Sequence, residues 1–289
     1  MRICELFQSK KPVVSCEIFP PKHDYPVETI FSTLAALSEL KPDYISVTYG
    51  AGGSSCARSV QIASKVKNDY GVETLAHLTC VGADRAATDE VLGQLQQENI
   101  HNVLALRGDL PPEVPCGSGS EYHEFAKDLI AHIRERHEFC IAAAAYPEGH
   151  PRCSSLALDR EHLKQKVDAG ADFLITQLFF DNQLFYSMME QLDKIGIQCP
   201  VTAGIMPVLN AAQIRRMTEL CGASIPAPLK ALLQKYGDCP GDMEKAGMDY
   251  ACRQIVDLVE NRVAGIHLYS MNKPRQTGEI LHQSGLRRG

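Results

Sequence analysis

Eight short apolar segments recur along the chain, each bounded by proline, glycine or another turn-forming residue. Most are almost continuously hydrophobic and do not alternate with polar residues, which is typical of strands covered on both faces of a parallel sheet. The predicted strands are PVVSCEIFP (12–20), YISVTYG (44–50), TLAHLTC (74–80), NVLALRG (102–108), CIAAAAYP (140–147), FLITQLF (173–179), PVTAGIM (200–206) and GIHLYSM (265–271). We therefore expect a sheet of parallel strands.

Segments with apolar residues at helical spacing lie between these strands. The predicted helices are 27–40, 57–70, 88–99, 124–137, 160–171, 182–196, 211–222 and 242–263, with an extra helical stretch at 226–237 before the last strand. Three of them run into Gly170, Gly196 or Gly222, and a glycine at this place commonly ends a helix. The chain thus alternates strands with helices.

The alternation of eight strands with helices predicts a (β/α)8 TIM barrel with an extra helical stretch before the last strand. A barrel of this kind uses about 250 residues, so we expect residues 1–289 to form a single catalytic barrel domain. The alternative is an open, doubly wound sheet, which would favour a glycine-rich phosphate turn after the first strand. The sequence at that point is FPPK (19–22), which is not such a turn.

The composition argues against several classes of protein. The formal net charge is −6, and the sequence lacks the basic stripe of a nucleic-acid-binding protein. Eleven cysteines occur without a C-x-x-C pair, so we expect small buried side chains in a reducing compartment, and no metal site. No apolar segment is long enough to cross a bilayer, and the N-terminus has no apolar core of a secretion signal. We expect a cytoplasmic protein that does not bind membranes.

Polar side chains are concentrated at the carboxyl ends of the predicted strands, where barrels of this type have their active sites. They are Glu17, Thr48, Tyr49, His77, Thr79, Arg107, Asp109, Tyr146, Glu148, His150, Gln177, Tyr269, Asn272 and Lys273. Such groups are costly to bury without partners. Their convergence predicts a site for a large polar ligand with acid–base chemistry.

Each of these residues also has a purely structural interpretation. Glu17 lies in an apolar strand, where its carboxyl would either have a raised pKa and act as an acid or pair with a basic neighbour such as Arg107. Asp109 could cap a loop, and His77 could be a satisfied core histidine. Lys166 could bind phosphate or lie on a solvated helix face.

Several segments, in their order and spacing, resemble the methylenetetrahydrofolate reductase family in its short, bacterial-type catalytic form. The matching segments are SCEIFPPK (15–22), ISVTYGAGG (45–53), AHLTC (76–80), NVLALRGDLPP (102–112), AAAYPEGHP (143–151), KVDAGADFLITQLFFD (166–181), AGIMPV (203–208) and HLYSMNK (267–273). The LRGDLPP and YPEGHP segments are the specific ones. The resemblance extends from about residue 10 to the C-terminus.

The resemblance implies a flavin enzyme. Members of this family hold FAD in a barrel, take a hydride from NADH or NADPH, and pass it on to 5,10-methylenetetrahydrofolate, which becomes 5-methyltetrahydrofolate. The two substrates use the same site in turn, and the proteins are often homo-oligomers. Glu17 resembles the family's general acid, which delivers a proton to N10 of the folate. Asp109 resembles an aspartate beside the flavin and the pterin, and Gln177 resembles a glutamine that contacts the pterin.

The resemblance also implies a set of binding residues. For FAD they are Thr48, His77, Leu106, Arg107, Gly108, Asp109, Ala126, Tyr146, His150, Asp159, His162, Gln165 and Lys166, and for the folate they are Glu17, Asp109, Gln177, Gln213 and Lys273. The enteric bacterial pattern has asparagine in place of His162, and arginine in place of Gln165 and Lys273. Met217 stands at a position that is often aromatic and stacks the nicotinamide, so the donor is open between NADH, NADPH and another reductant.

Two further hypotheses are compatible with the same residues. A pterin-binding methyltransferase barrel would need acid groups but no flavin, so bound flavin distinguishes it from a reductase. A barrel that only docks a partner protein would carry a residual site. The presence of both Glu17 and Asp109 argues against this last hypothesis.

Overall fold

Eight parallel strands close into a barrel in the described part of the chain, in sequential order, so the predicted TIM barrel is confirmed. The structure is a computed structural model that describes residues 1–22, 24–49, 53–108 and 121–286, and for 53–56 the backbone alone. The strands are β1 (Val13–Ile18), β2 (Tyr44–Val47), β3 (Glu73–Thr79), β4 (Asn102–Leu106), β5 (Cys140–Ala145), β6 (Phe173–Thr176), β7 (Val201–Ile205) and β8 (Gly265–Tyr269). The barrel closes where β8 pairs in parallel with β1.

Helices surround this barrel, and every helix that the sequence pattern predicts is present. They are α1 (Ile3–Ser9), α2 (Phe31–Ser38), α3 (Gly53–Ser64), α4 (Arg85–Gln97), α5 (Ala126–Arg136), α6 (Leu156–Asp168), α7 (Asn182–Lys194), α8 (Ala211–Cys221), α9 (Ala227–Tyr236), α10 (Pro240–Glu260) and α11 (Pro274–Gln283). A 3-10 turn (Val27–Ile30) leads into α2, and a π turn (Lys65–Asp69) follows α3. The main apolar core lies between the strands and these helices.

The connection from β7 to β8, which is described without gaps, consists of α8, α9 and α10. The helix α9 is the extra helical stretch that the sequence predicts before the last strand. These helices enclose an apolar cluster that includes Met206, Val208, Leu229 and Leu233. The insertion therefore has its own small core beside the end of β7.

Two helices near the chain ends, α1 and α11, are not predicted by the sequence pattern. The only buried residues of α1 are Ile3 and Phe7, one turn apart, which is too little for a periodic signal. Phe7 packs against Phe173 with ring centroids 5.3 Å apart, so α1 covers the amino-terminal end of the barrel. The helix α11 packs against α2 and α10.

The predicted helix ends at Gly170, Gly196 and Gly222 are confirmed. Their φ angles are +118°, +73° and +74°, in the region that side-chain-bearing residues rarely adopt. Cys16 and Cys140 are buried free thiols, as expected for small core side chains. No helix in the described ranges is long and apolar enough to cross a membrane.

Candidate active site

The carboxylate of Glu17 lies at the carboxyl end of the barrel between two histidines. Its Oε2 atom is 3.6 Å from Nε2 of His77 on β3 and 3.6 Å from Nε2 of His267 on β8. The Glu17 side chain is 19% exposed, and both histidine side chains are buried. The alternative of a basic neighbour for Glu17 is met by these histidines and not by Arg107, since they are the basic groups found within 4.0 Å of its carboxylate among the described residues. Polar groups from distant strands do converge, as predicted.

The two histidines oppose the effect of burial on Glu17. Desolvation raises the pKa of this carboxyl. The polar contact with His267, together with the positive charge that His77 and His267 carry when protonated, lowers it by more, so the pKa lies below its usual range. Burial lowers the pKa of His77 to about 4, so this imidazole is neutral near neutral pH. The raised pKa expected for Glu17 is therefore wrong for the protein alone, because an apolar strand pattern does not show which groups face the carboxyl.

Ser15 orients the ring of His267. The sequence analysis named neither of these two residues as part of the site. The Ser15 Oγ atom is 2.8 Å from Nδ1 of His267, and both residues are buried. When Nδ1 accepts a hydrogen bond from the Ser15 hydroxyl, the single ring proton of His267 is on Nε2, which faces Glu17. This tautomer is assigned from the hydrogen-bond pattern. Ser15 and Glu17 are two positions apart on β1 and so share one face of the strand, which is the signal that points to Ser15.

A cavity of about 270 Å³ lies beside the ends of β4 and β5, between α5 and α6. Its lining includes these residues that the resemblance implies for FAD: Leu106, Arg107, Ala126, Tyr146, His150, Asp159, His162, Gln165 and Lys166. They come from four places, namely the end of β4, the start of α5, the loop after β5, and α6. The barrel thus brings most of the predicted cofactor-binding positions to one cavity.

Four of the predicted FAD positions are not among the lining residues. Thr48 and His77 belong to the β2–β3 side of the barrel. Gly108 has a φ of +86°, and a Cβ added there would lie 3.0 Å from Cβ of Thr79, so a side chain at this position would be strained. Asp109, the second predicted catalytic residue, lies outside the described residues.

Asp159 links α6 to the loop that follows β5. Its carboxylate accepts a hydrogen bond from the His150 N–H at 3.0 Å and forms an ion pair with Arg160 at 2.7 Å. Arg160 also donates to the carbonyls of Tyr146 and Pro147 at 2.8 and 2.9 Å. These buried contacts fix one wall of the cavity.

Lys166 presents a buried ammonium group to the same cavity. Its Nζ donates to the carbonyl of Ala144 at 2.6 Å. Burial lowers the pKa of Lys166 to about 8, although the carboxylate of Asp159 partly offsets this effect. Lys166 is therefore mostly charged at neutral pH but loses its proton at a mildly alkaline pH, at which enzymes remain folded.

The lining residues that the sequence analysis missed include Phe125, Lys127, Arg152 and Cys153. The guanidinium of Arg107 lies over the ring of Phe125, 5.2 Å from its centroid. Lys127 directly follows a predicted position at the start of α5. Arg152 and Cys153 directly follow the YPEGHP segment, so adjacency to a specific motif is the signal that points to them.

Besides Glu17 on β1 and Asp109, which lies outside the described residues, three residues are expected for the folate, and they lie on the β6–β8 side of the barrel. Gln177 follows β6, and its Oε1 accepts the N–H of Leu178 at 2.9 Å. Gln213 and Lys273 are exposed at the starts of α8 and α11. Met217 packs against the apolar cluster of the β7–β8 insertion. No hydrogen bond within the described ranges brings these side chains to one point.

The start of α6, which carries several cavity residues, depends on a serine cap. The Oγ atom of Ser155 accepts the N–H of Leu158 at 3.2 Å. We expect Ser155→Ala to lower the free energy of unfolding by about 1 kcal/mol, because a helix N–H loses its partner. Urea unfolding measures this difference. Ser154→Ala, at an exposed neighbour, should leave stability unchanged, and an equal loss in both variants would contradict the capping role.

These features define a class of protein. A closed parallel barrel, with a carboxylate between imidazoles at its carboxyl end and a cavity with several basic side chains at the ends of β4 and β5, is the architecture of a barrel enzyme. Comparison with known proteins identifies the family. The chain belongs to the methylenetetrahydrofolate reductase family, whose model matches residues 2–285.

Relatives of known name agree over most of the chain. The 5,10-methylenetetrahydrofolate reductase of Escherichia coli (strain K12) is 34% identical over 276 residues, which cover 96% of this chain and 92% of that protein. Methylenetetrahydrofolate reductase (NADH) 1 of Arabidopsis thaliana is 34% identical over 302 residues, which cover 99% of this chain and 50% of that protein. The chain therefore spans about half the length of the plant relatives that it matches.

A solved structure of similar fold comes from Clostridium thermocellum. That uncharacterized protein binds two copies of 5-methyl-5,6,7,8-tetrahydrofolic acid. It matches this chain with a TM-score of 0.71 and 14% identity, and the match covers 98% of each chain. At this level of identity the likeness supports the barrel fold alone.

Proposed function

We propose that this chain reduces 5,10-methylenetetrahydrofolate to 5-methyltetrahydrofolate, with FAD as its cofactor and NADH or NADPH as the hydride donor. The observation that carries the proposal is that Glu17 lies at the carboxyl end of the same barrel whose β4 and β5 ends border a cavity lined by the expected FAD positions. The E. coli relative is named for the same reduction. By analogy with the family, the proposal includes a single catalytic barrel domain that forms a homo-oligomer in the cytoplasm.

The donors around the cavity fit a flavin dinucleotide. Among the described residues, Nε of Arg107 in the cavity lining is buried without a hydrogen-bond partner, as is Nε2 of His77, which lies 3.6 Å from Glu17 outside the lining. Buried donors without a partner are the groups that a ligand commonly satisfies. Lys127, Arg152 and Lys166 add positive charge suited to a diphosphate. FAD, when bound, supplies the hydride transfer. The protein's part would be to hold its ring with Arg107 and His77 and its phosphates with Lys166.

Glu17 is the proton donor in this proposal. Opening the bridged ring of the folate requires a proton at N10, and it leaves an electrophilic carbon that accepts the hydride. A pterin over Glu17 would exclude water from the 19% of the side chain that is exposed, and loss of water favours the protonated carboxyl. His267 faces the carboxylate with its Nε2–H at 3.6 Å and would stabilise the anion that remains once the proton has gone to N10. Asp109 and Gln177 are proposed to contact the pterin.

The absorption spectrum of the purified protein tests this function. We expect a flavin spectrum that bleaches with NADH or NADPH without oxygen and returns when methylenetetrahydrofolate is added. A flavin that neither donor reduces would contradict the nicotinamide donor. A colourless protein that cannot be loaded with FAD would contradict the reductase function.

The pKa of Lys166 predicts a pH dependence of FAD binding. Because this pKa is about 8, the ammonium is charged below that pH and is progressively neutral above it. A diphosphate favours the charged form, so the FAD affinity should be constant below the pKa and fall by up to about tenfold per pH unit above it. Titration of flavin-free protein with FAD, at pH values on both sides of the pKa, measures this dependence.

Lys166→Arg is the matched control for the pH dependence. Arginine keeps its charge throughout the range, so the affinity of this variant should not fall at the same pH. The native affinity for riboflavin, which has no phosphate, should be independent of this ionisation. An FAD affinity that is equally flat in the native protein would contradict a phosphate contact by Lys166.

A further inference from the structure

The cavity between α5 and α6 contains more basic than acidic side chains. Among the described residues its lining has the cations of Arg107, Lys127, Arg152 and Lys166 and the carboxylate of Asp159. A surplus of positive charge in a partly enclosed cavity favours an anionic ligand. The cations differ in how far the protein itself already engages them.

Lys166 and Arg107 are held by protein groups. Lys166 Nζ donates to the carbonyl of Ala144 at 2.6 Å, and its low pKa removes part of its charge just above neutral pH. The guanidinium of Arg107 stacks over the ring of Phe125 near the end of β4. Both cations are therefore fixed at the barrel side of the cavity.

Lys127 is the second residue of α5 and reaches across to α6. Its Nζ donates to Oε1 of Gln165 at 2.8 Å. Glutamine is neutral, so this contact orients the ammonium group and leaves its charge uncompensated. No carboxylate oxygen lies within 4.0 Å of Lys127 Nζ in the ranges that the structure describes.

The position of Lys127 within its helix is unfavourable without an anion nearby. The first turn of a helix carries the positive end of the helix dipole, where a further cation is repelled. Asp128 offsets part of this charge, and its Oδ2 already accepts the N–H of Phe125 at 2.9 Å. An anion between α5 and α6 would be attracted by both the helix terminus and Lys127.

We propose that Lys127 is a second lysine, in addition to Lys166, that holds the diphosphate of FAD, at the point where the first turn of α5 faces Gln165. The inference rests on the proposed function, which identifies the ligand. Gln165 positions the ammonium group, and its amide N–H is a second donor for the same phosphate. Lys127 thereby favours the dinucleotide over riboflavin, which has no phosphate.

Binding of two flavins to Lys127→Gln tests the assignment without any need for turnover. Flavin-free protein is titrated with FAD and with riboflavin, and the change in flavin fluorescence gives each dissociation constant. We expect the variant to bind FAD roughly 10- to 100-fold more weakly, as for the loss of one charge-assisted hydrogen bond. Its riboflavin affinity should equal that of the native protein.

Two further variants make the test specific. Lys230→Gln is the same change near the start of α9, on an exposed side chain outside the cavity lining, and should bind both flavins normally. Lys127→Gln combined with Gln165→Arg places the charge on α6 at the facing position. We expect this double variant to regain about tenfold or more of the lost FAD affinity.

The outcomes separate this inference from the proposed function. Unchanged FAD affinity in Lys127→Gln, or an equal loss for FAD and riboflavin, would overturn the role of Lys127 and leave the reductase proposal standing. A native protein that binds neither flavin would overturn the proposed function and this inference together.

Discussion

Replacing Glu17 with glutamine should abolish folate reduction and leave the flavin in place. Glutamine has nearly the shape of glutamate but has no acidic proton for N10 of the folate. The loss of a general acid costs about 10²- to 10⁴-fold in rate. Stopped-flow absorbance measures the two half-reactions separately. We expect native rates of flavin reduction by the nicotinamide donor and a loss of this size in flavin reoxidation by methylenetetrahydrofolate.

The control for this experiment is Glu190→Gln, an exposed glutamate on α7. Both half-reactions should keep their native rates in this variant. If Glu17→Gln reoxidises with folate at the native rate, Glu17 is not the acid. If it slows both half-reactions equally, Glu17 acts on the flavin instead of on the folate.

Replacing Gly247 with alanine should severely destabilise the barrel. Gly247 lies in α10, where a Cβ would be 1.8 Å from the carbonyl oxygen and 2.6 Å from the carbonyl carbon of Val208. Both atoms belong to the backbone after β7, so no side-chain rotation can relieve the clash. Overpacking typically costs about 1–3 kcal/mol, and we expect about 3 kcal/mol here because the clash is with backbone atoms. Chemical unfolding, followed by circular dichroism, measures the loss.

Gly241→Ala is a matched control in the same helix. A Cβ at Gly241 meets nothing within 4 Å. Alanine is a better helix former than glycine by roughly 0.5–1 kcal/mol, so this variant should be as stable as the native protein or slightly more stable. Equal stability of both variants would show that α10 can move away from β7 at little cost.

The elements that position the site can be predicted because they depend on local pattern. The β1 strand, Val13–Ile18, lies within the predicted segment 12–20, and β8, Gly265–Tyr269, lies within 265–271. Both are apolar along their length because sheet and helices cover them on each face. The short helix α1 escapes prediction because two apolar residues do not establish a period.

The residues of the site are only partly predictable. Strand direction places Glu17 and His77 at the same end of the barrel, so their approach follows from the fold class. His267 begins the HLYSMNK segment, but nothing in that segment shows that its ring turns towards Glu17. Lysine side chains are usually exposed, so the sequence does not predict that Lys127 lines a cavity. Only the tertiary structure shows that it does, with its Nζ donating to Gln165.

The sequence by itself determined the alternation of strands and helices, the number of eight strands from which a barrel is predicted, and the presence of polar groups at the strand ends. These features depend on periodicity and strand direction, which are local. Only the tertiary structure decided that Ser15 and His267, 252 positions apart, form the pair beside Glu17. It also decided the low pKa of Glu17. Hydrogen bonds and pKa values depend on distances of a few ångströms between residues remote in the chain, and no local pattern specifies those distances.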